Sequence, residues 1–479
     1  MIEKRKFYIN GTWVAPIDGT PCEVINPATE EACAVISLGG VKDTDAAVAA
    51  ARAAFEGWMM TDPAERLALI QKLLDIYTAR AEDMAQAISM EMGAPIDLSR
   101  TQQVTTGLAH IKTFLRAAKD FDYTRPLHDR APDNAVLYEP VGVVGMITPW
   151  NWPMNQITLK AIPALAVGCT MILKPSEVSP LSGTLFAEMI DEAGFPKGVF
   201  NLVNGDGLGV GSRLSTHPDV DMISFTGSTR AGIAITKAAA DTIKRVSLEL
   251  GGKGANIIFA DADEDAVKRG VLRVMNNSGQ SCNAPTRMLV ERSIYDKAVD
   301  IAAETANSVR VGVPNEEGGH MGPVVSEAQF NKIQGLIQEG IDEGARLVAG
   351  GVGRPEGLNR GYFVRPTVFA DTNNQMIIAS EEIFGPVLAM MPFDTEEDAV
   401  RIANDTPYGL TNFVQSQDTD KRQRVARRLR SGMVEMNGKS RGAGSPFGGY
   451  KQSGNGREGG VWGLEDFLEV KSVSGWTAD

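Results

Sequence analysis

From residue 141 onward, short apolar runs recur between stretches of helical character: Val141 to Thr148, Thr170 to Lys174, Val199 to Val203, Met222 to Thr226 and Arg245 to Leu250. Strands that alternate with helices imply a parallel, doubly wound sheet. A second unit of the same texture begins after Gly252, with Ala255 to Phe259 as a strand, a helix from about Glu264 to Asn277, and further alternation to about residue 435. Ahead of both, residues 43 to 119 read as a helical layer, because Leu67, Ile70, Leu74 and Tyr77 recur at spacings of three and four behind Pro63. The expected class is α/β, with two doubly wound units and a cleft between them where a substrate could be buried.

Composition narrows the partner. The 479 residues leave room for about three domains with large cores. A net charge of −13 would repel phosphates, which argues against nucleic acid and anionic membrane and in favour of a small molecule. Lys4, Arg5 and Lys6 are not followed by an apolar h-region, and no run of about 18 apolar residues appears later, so a cytoplasmic address is expected. The cysteines at 22, 33, 169 and 282 lack metal-ligand spacing and the chain has four histidines, so no metal site is expected and the thiols read as free.

The chemistry concentrates in two short motifs. Cys282 closes Gly279-Gln280-Ser281-Cys282, and Glu249 opens Glu249-Leu250-Gly251-Gly252-Lys253 in the other unit. A thiol nucleophile needs a site that favours thiolate near neutral pH, and a carboxylate can later activate water. Alone, Cys282 also fits an inert buried cysteine and Glu249 an ordinary cap partner; their joint occurrence carries the catalytic reading. Phe225-Thr226-Gly227-Ser228 follows a strand and opens a helix, where a phosphate can be received, although a plain turn explains it too. Lys174-Pro175-Ser176-Glu177 ends an earlier strand, and the Glu177 carboxylate can accept both ribose hydroxyls while repelling a 2′-phosphate. Asn151, in Thr148-Pro149-Trp150-Asn151-Trp152-Pro153, has an amide able to donate to an oxyanion.

These motifs, with Glu381-Glu382-Ile383-Phe384-Gly385-Pro386 and Pro446-Phe447-Gly448-Gly449-Tyr450-Lys451, resemble the aldehyde dehydrogenase superfamily over essentially the whole chain. Gln280 to Arg287 further resembles a bacterial branch that includes oxo-fatty-acid and succinoylsemialdehyde-pyridine dehydrogenases. The resemblance implies an NAD-binding, Rossmann-like domain of residues 1–121 and 141–251, with 453–467 returning to it, and a catalytic domain of residues 252–452. It also implies a β-extension of residues 122–140 and 468–479 that joins subunits into a homodimer or homotetramer.

By the same resemblance, Cys282 attacks the aldehyde, Asn151 holds the oxyanion, Glu249 activates water, and Lys160 and Glu458 line a proton path behind Glu249. The cofactor, NAD with NADP as an alternative, would be held by Ile147, Thr148, Trp150, Lys174, Ser176, Glu177, Gly207, Phe225, Gly227, Ser228, Leu250, Glu382 and Phe384. The aldehyde tunnel would be lined by Trp152, Gln156, Leu159, Ser281, Asn283 and Phe447. Lys439 and Arg441, in the loop between residues 438 and 447, either meet a distal carboxylate of a semialdehyde or oxo-acid or point to solvent. Two rival activities share the thiol: acyl transfer to coenzyme A, which needs no water-activating base, and thiol esterase action.

Overall fold

The computed structural model describes residues 1–476. Five parallel strands stand in the order Arg245–Glu249, Met222–Thr226, Val143–Ile147, Thr170–Lys174 and Phe200–Leu202. Four of these strands are buried nearly throughout, as expected where helices cover both faces, and the edge strand Arg245–Glu249 is buried only from Ser247 onward. Alternation sorts the side chains: Val144 and Met146 join one core with the helices Pro63–Ala79 and Pro153–Val167, while Val143 and Ile147 join another with the helix Val41–Met59. The sheet is extended antiparallel by Phe7–Ile9 and Thr12–Val14, three residues each and too short for a periodic signal in the sequence.

The second seven-stranded sheet runs Arg346–Ala349, Thr367–Ala370, Val387–Phe393, Arg287–Glu291, Ala255–Ile258, Thr411–Gln415 and Met433–Met436, with only the first strand antiparallel. Between Ala255–Ile258 and Arg287–Glu291 the helix is shorter than expected, Ala266–Met275. It gives way to a turn in which Asn277, Ser278 and Gly279 have φ of 51°, 57° and 72°. The helical layer is likewise divided, and a single π turn, Ser99–Gln103, precedes Val104–Lys119.

The strand expected near the C-terminus pairs within the chain: Leu468–Ser474 lies antiparallel to Asn134–Pro140, which also pairs with Thr124–Pro126. Residues 477–479, the end of the expected extension, lie outside the described residues. A further sheet near the N-terminus, Ile2–Lys4, Glu31–Leu38 and Thr20–Asn26, had no counterpart in the sequence reading. Among the described residues, no helix is long and apolar enough to cross a membrane.

Candidate active site

The left-handed turn at residues 277–279 projects Cys282 from the second sheet toward the first. Gly279 is required there, since a Cβ would lie 2.1 Å from the Gly385 backbone. Cys282 lines two cavities, of about 600 and 210 Å³, and is the one residue common to both walls among the described residues. The sequence left the resting protonation of Cys282 open. Burial, helped by the Glu382 and Glu249 carboxylates, pushes the thiol up to about 12, so the resting group is protonated.

Asn151 is buried, and its Nδ2 donates to the Gln280 carbonyl at 3.1 Å, which ties the turn at the end of Val143–Ile147 to the cysteine loop. An amide nitrogen carries two N–H donors, so one remains for a ligand. Asn151 lines the smaller cavity beside Cys282.

Glu249, at the end of its strand, lies on neither cavity wall. A Cβ at Gly448 would be 2.8 Å from its Oε1 and one at Gly456 3.0 Å, so the carboxyl occupies space that the glycine-rich segment leaves open. Both oxygens are buried without a hydrogen-bond partner among the described residues. Burial first and Glu458 second raise it well above the usual carboxylate range, while Lys160 and Arg457 pull the other way. The same buried cluster contains the Lys160–Glu458 ion pair at 2.5 Å. Glu249, Lys160 and Glu458 are therefore brought close enough for their charges to act on one another.

The smaller cavity runs from Ser228 to Cys282 and includes Trp150, Gly227, Leu250, Glu382 and Phe384. Ser228 caps the helix Thr229–Ala239, its Oγ accepting from Ala231 N at 3.3 Å. Trp150 and Phe384 meet edge to face at 5.4 Å. Ile147, Thr148, Lys174, Ser176, Glu177, Gly207 and Phe225 are not on this wall. Several of them sit at or near the carboxyl ends of the strands: Lys174 Nζ donates to the Gly205 carbonyl at 2.6 Å and to Glu177 Oε2 at 3.3 Å, and Thr148 Oγ1 is buried without a partner. Ser176 accepts from Val178 N, and Gly207 opens an exposed turn. Phe225 packs under Gly227, where a Cβ would touch its ring at 2.4 Å. The sequence reading missed Gln329 and Lys332 on the same wall. Their side chains hold the Phe384 carbonyl at 2.8 Å and the Glu382 carbonyl at 2.8 Å from a helix that carries no motif.

The larger cavity is lined by Trp152, Gln156, Leu159, Ser281, Asn283, Phe447 and Arg441, the last of these exposed at its rim. Trp152 Nε1 donates to Ser281 Oγ at 2.8 Å, fixing the indole against the cysteine loop. Lys439 is a correction: it is exposed and lines neither cavity, because the turn at Gly438, with φ of 69°, carries the chain outward. A cation in its place, Arg273, was not anticipated. Arg273 and Arg441 share one carboxylate, the buried Glu435, at 2.9 and 3.2 Å. Arg269, also on the wall, is matched by Asp263 at 2.7 Å, and the wall itself has no carboxylate. Three cations against two carboxylates leave the cavity end net positive. His110 Nε2 donates to Asn155 Oδ1 at 2.8 Å, and burial lowers its proton affinity, so it adds no charge at neutral pH.

Known proteins resemble this chain over nearly its whole length. Residues 13–473 match the aldehyde dehydrogenase family. A 3-succinoylsemialdehyde-pyridine dehydrogenase from a Pseudomonas species is 51% identical, covering 99% of each chain. The crystal structure of an aldehyde dehydrogenase from Bartonella henselae superimposes with a TM-score of 0.99 at 60% identity, over 99% of this chain and 100% of that one. A mutant of aldehyde dehydrogenase C from Pseudomonas syringae, solved in complex with NAD+ and octanal, superimposes at 0.97 with 49% identity, over 99% and 98% of the two chains. With two cavities meeting at one cysteine on this fold, the chain belongs to the aldehyde dehydrogenase family.

Proposed function

We propose that the protein oxidises an aldehyde to a carboxylic acid with NAD as acceptor, Cys282 forming the covalent intermediate. The observation that supports this most directly is the position of Cys282 where the two cavities meet. The smaller cavity suits a dinucleotide: a helix N-terminus at Ser228 for the pyrophosphate, the Glu382 carboxylate for a ribose, Trp150 and Phe384 for a flat ring, and an orphaned Thr226 hydroxyl. Glu177, near Lys174 at the strand ends, favours a ribose with free hydroxyls over a 2′-phosphate.

Sγ of Cys282 bonds to the carbonyl carbon while its proton passes to water in the larger cavity and the carbonyl π pair moves to oxygen, and the free N–H of Asn151 with the Cys282 backbone N–H receives the oxyanion. When bound, the nicotinamide supplies the acceptor for the hydride released as the thioester forms. Glu249, once ionised, takes a proton from water, whose oxygen attacks the thioester carbon; the C–S bond breaks and the acid leaves. Lys160 and Glu458 give that proton a path away from Glu249. Transfer to coenzyme A would make Glu249 unnecessary, and esterase action would make the smaller cavity unnecessary.

The finer substrate reading is an aldehyde with a distal carboxylate, a semialdehyde or oxo-acid, met by Arg441 and Arg273 instead of Lys439. The β-arm Asn134–Pro140 with Leu468–Ser474 supports assembly into a dimer or tetramer, and the division 1–121 with 141–251 against 252–452 follows the two sheets. Four unpaired cysteines suit a reducing, cytoplasmic compartment.

NADH absorbance with NAD, and with octanal against its ω-carboxylated counterpart, tests the reading. Turnover should vanish in Cys282→Ala. Glu249→Gln should give a burst of about one NADH per site and then stall, because the thioester forms but is not hydrolysed. NADH formation only when coenzyme A is present would move the protein to the acylating class.

A further inference from the structure

We infer that Gln103 is a positioning residue for the oxyanion donor, an inference that rests on the role proposed for Asn151. Gln103 ends the single π turn in the helical layer, and a π turn shifts the residues around it in angle relative to a regular helix. Its side chain is fully buried, and three segments of the chain converge on it. Nε2 donates to the backbone carbonyl of Asn151 at 3.1 Å and reaches Asn277 Oδ1 at 3.4 Å and Met92 Sδ at 3.6 Å, so the two N–H groups of one amide, one of them shared, link two loops to the helical layer. Its own Oε1 has no partner among the described residues, which leaves the two donors as the polar work of this side chain.

The contact with Asn277 has a directional consequence. With Oδ1 held by Gln103, the Asn277 amide must turn its Nδ2 the other way, toward the Asn151 carbonyl at 2.9 Å and the Gln280 carbonyl at 3.3 Å. The Gln280 carbonyl is also the acceptor that holds Asn151 Nδ2 at 3.1 Å. Gln103, Asn277, Gln280 and Asn151 thus form a closed network that ties Asn151 at its backbone and at its amide, and aims the remaining N–H. Asn277 pays a left-handed φ of 51° to take part, a conformation that the αL-tolerant asparagine adopts more readily than most residues. No member of the network besides Asn151 lines either the cavity of about 210 Å³ or that of about 600 Å³, so Gln103 acts through Asn151 and touches no substrate.

A double-mutant cycle on the full-length enzyme with NAD and octanal tests this. Gln103→Met, similar in length and apolar, should lower kcat/KM for octanal by roughly tenfold, within the loss that a small misplacement of a reacting group causes. Asn151→Ala should cost roughly a hundredfold or more, and adding Gln103→Met to Asn151→Ala should cost nothing further. NAD affinity and the rate of Cys282 alkylation by iodoacetamide, a reaction without a carbonyl oxyanion, should stay within about twofold throughout. Gln103→Glu, isosteric and able when protonated to donate to one of the two oxygens, should fall between wild type and Gln103→Met. It is carried through the same cycle, so the test stands where the methionine variant does not fold. An equal loss in both backgrounds, or no loss in the wild-type background, overturns the positioning role while leaving Asn151 intact. An Asn151→Ala enzyme with undiminished kcat/KM instead overturns the reading of Asn151 itself, and the positioning role with it.

Discussion

At the scale of single residues, the site is built from groups whose resting protonation opposes their proposed work. A Cys282 thiol pushed up to about 12 has a thiolate fraction that rises about tenfold per pH unit through the neutral range. Alkylation of the free enzyme by iodoacetamide should therefore climb without a plateau up to about pH 10; a plateau below about pH 8 would show an activated thiolate instead. Glu249 presents the mirror case. Burial raises it and the Lys160 cation lowers it, so the acid limb of kcat, where hydrolysis limits, should lie above the ordinary carboxylate range. Removing the cation with Lys160→Met should move that limb to higher pH. A limb that stays in place would separate Lys160 from Glu249. Cys282, Glu249 and Asn151 were legible in the sequence because each sits in a short motif. Arg273, Gln103 and Gln329 were not, because each lies on a helix with no local signature and gains its role only across the fold.

Among the elements, helix ends and turns hold the sensitive positions. Glu91, from the helix Ala81–Met92, accepts from Leu181 N at 2.5 Å and from Ser182 N and Oγ at 3.1 and 2.5 Å, closing the N-terminus of Leu181–Ala193. Burial nevertheless raises its carboxyl to about 7. The folded state then holds a proton that the unfolded chain has released, so stability falls as pH rises from about 4.5 to about 7 and levels off above that. Urea unfolding at intervals across this window should show a shallower decline for Glu91→Gln than for wild type; parallel curves would remove Glu91 as the source. Two glycines give a paired test. Gly335→Ala, in the exposed middle of the helix Glu327–Asp342 with nothing within 4 Å, should stabilise by about 0.5–1 kcal/mol. Gly279→Ala, 2.1 Å from the Gly385 backbone, should displace the cysteine loop and abolish turnover. Thermal unfolding and NADH formation, measured on both variants, would expose an error in either placement.

For the whole molecule, two sheets meet so that Cys282 of one faces Asn151 of the other. The β-arm stands apart from both sheets, and among the described residues Leu468–Ser474 leaves one edge unpaired, with Val470 65% exposed. Truncation after Phe467 should reduce the sedimenting species to a monomer. Retention of the native assembly would place the contact elsewhere.

By itself the sequence determined the α/β class, the five parallel strands of the first sheet, the first strand of the second and the candidate nucleophile, because buried parallel strands and tight turns demand local residue patterns. It also marked Glu249 and Asn151. Tertiary structure alone decided that Glu249 feels the charges of Lys160 and Glu458, that Lys439 lies off both cavities while Arg273 joins Arg441 on Glu435, and that burial and nearby carboxylates raise the Cys282 thiol. Each of these depends on burial and on the charges of residues distant in sequence, and neither quantity exists until the chain has folded.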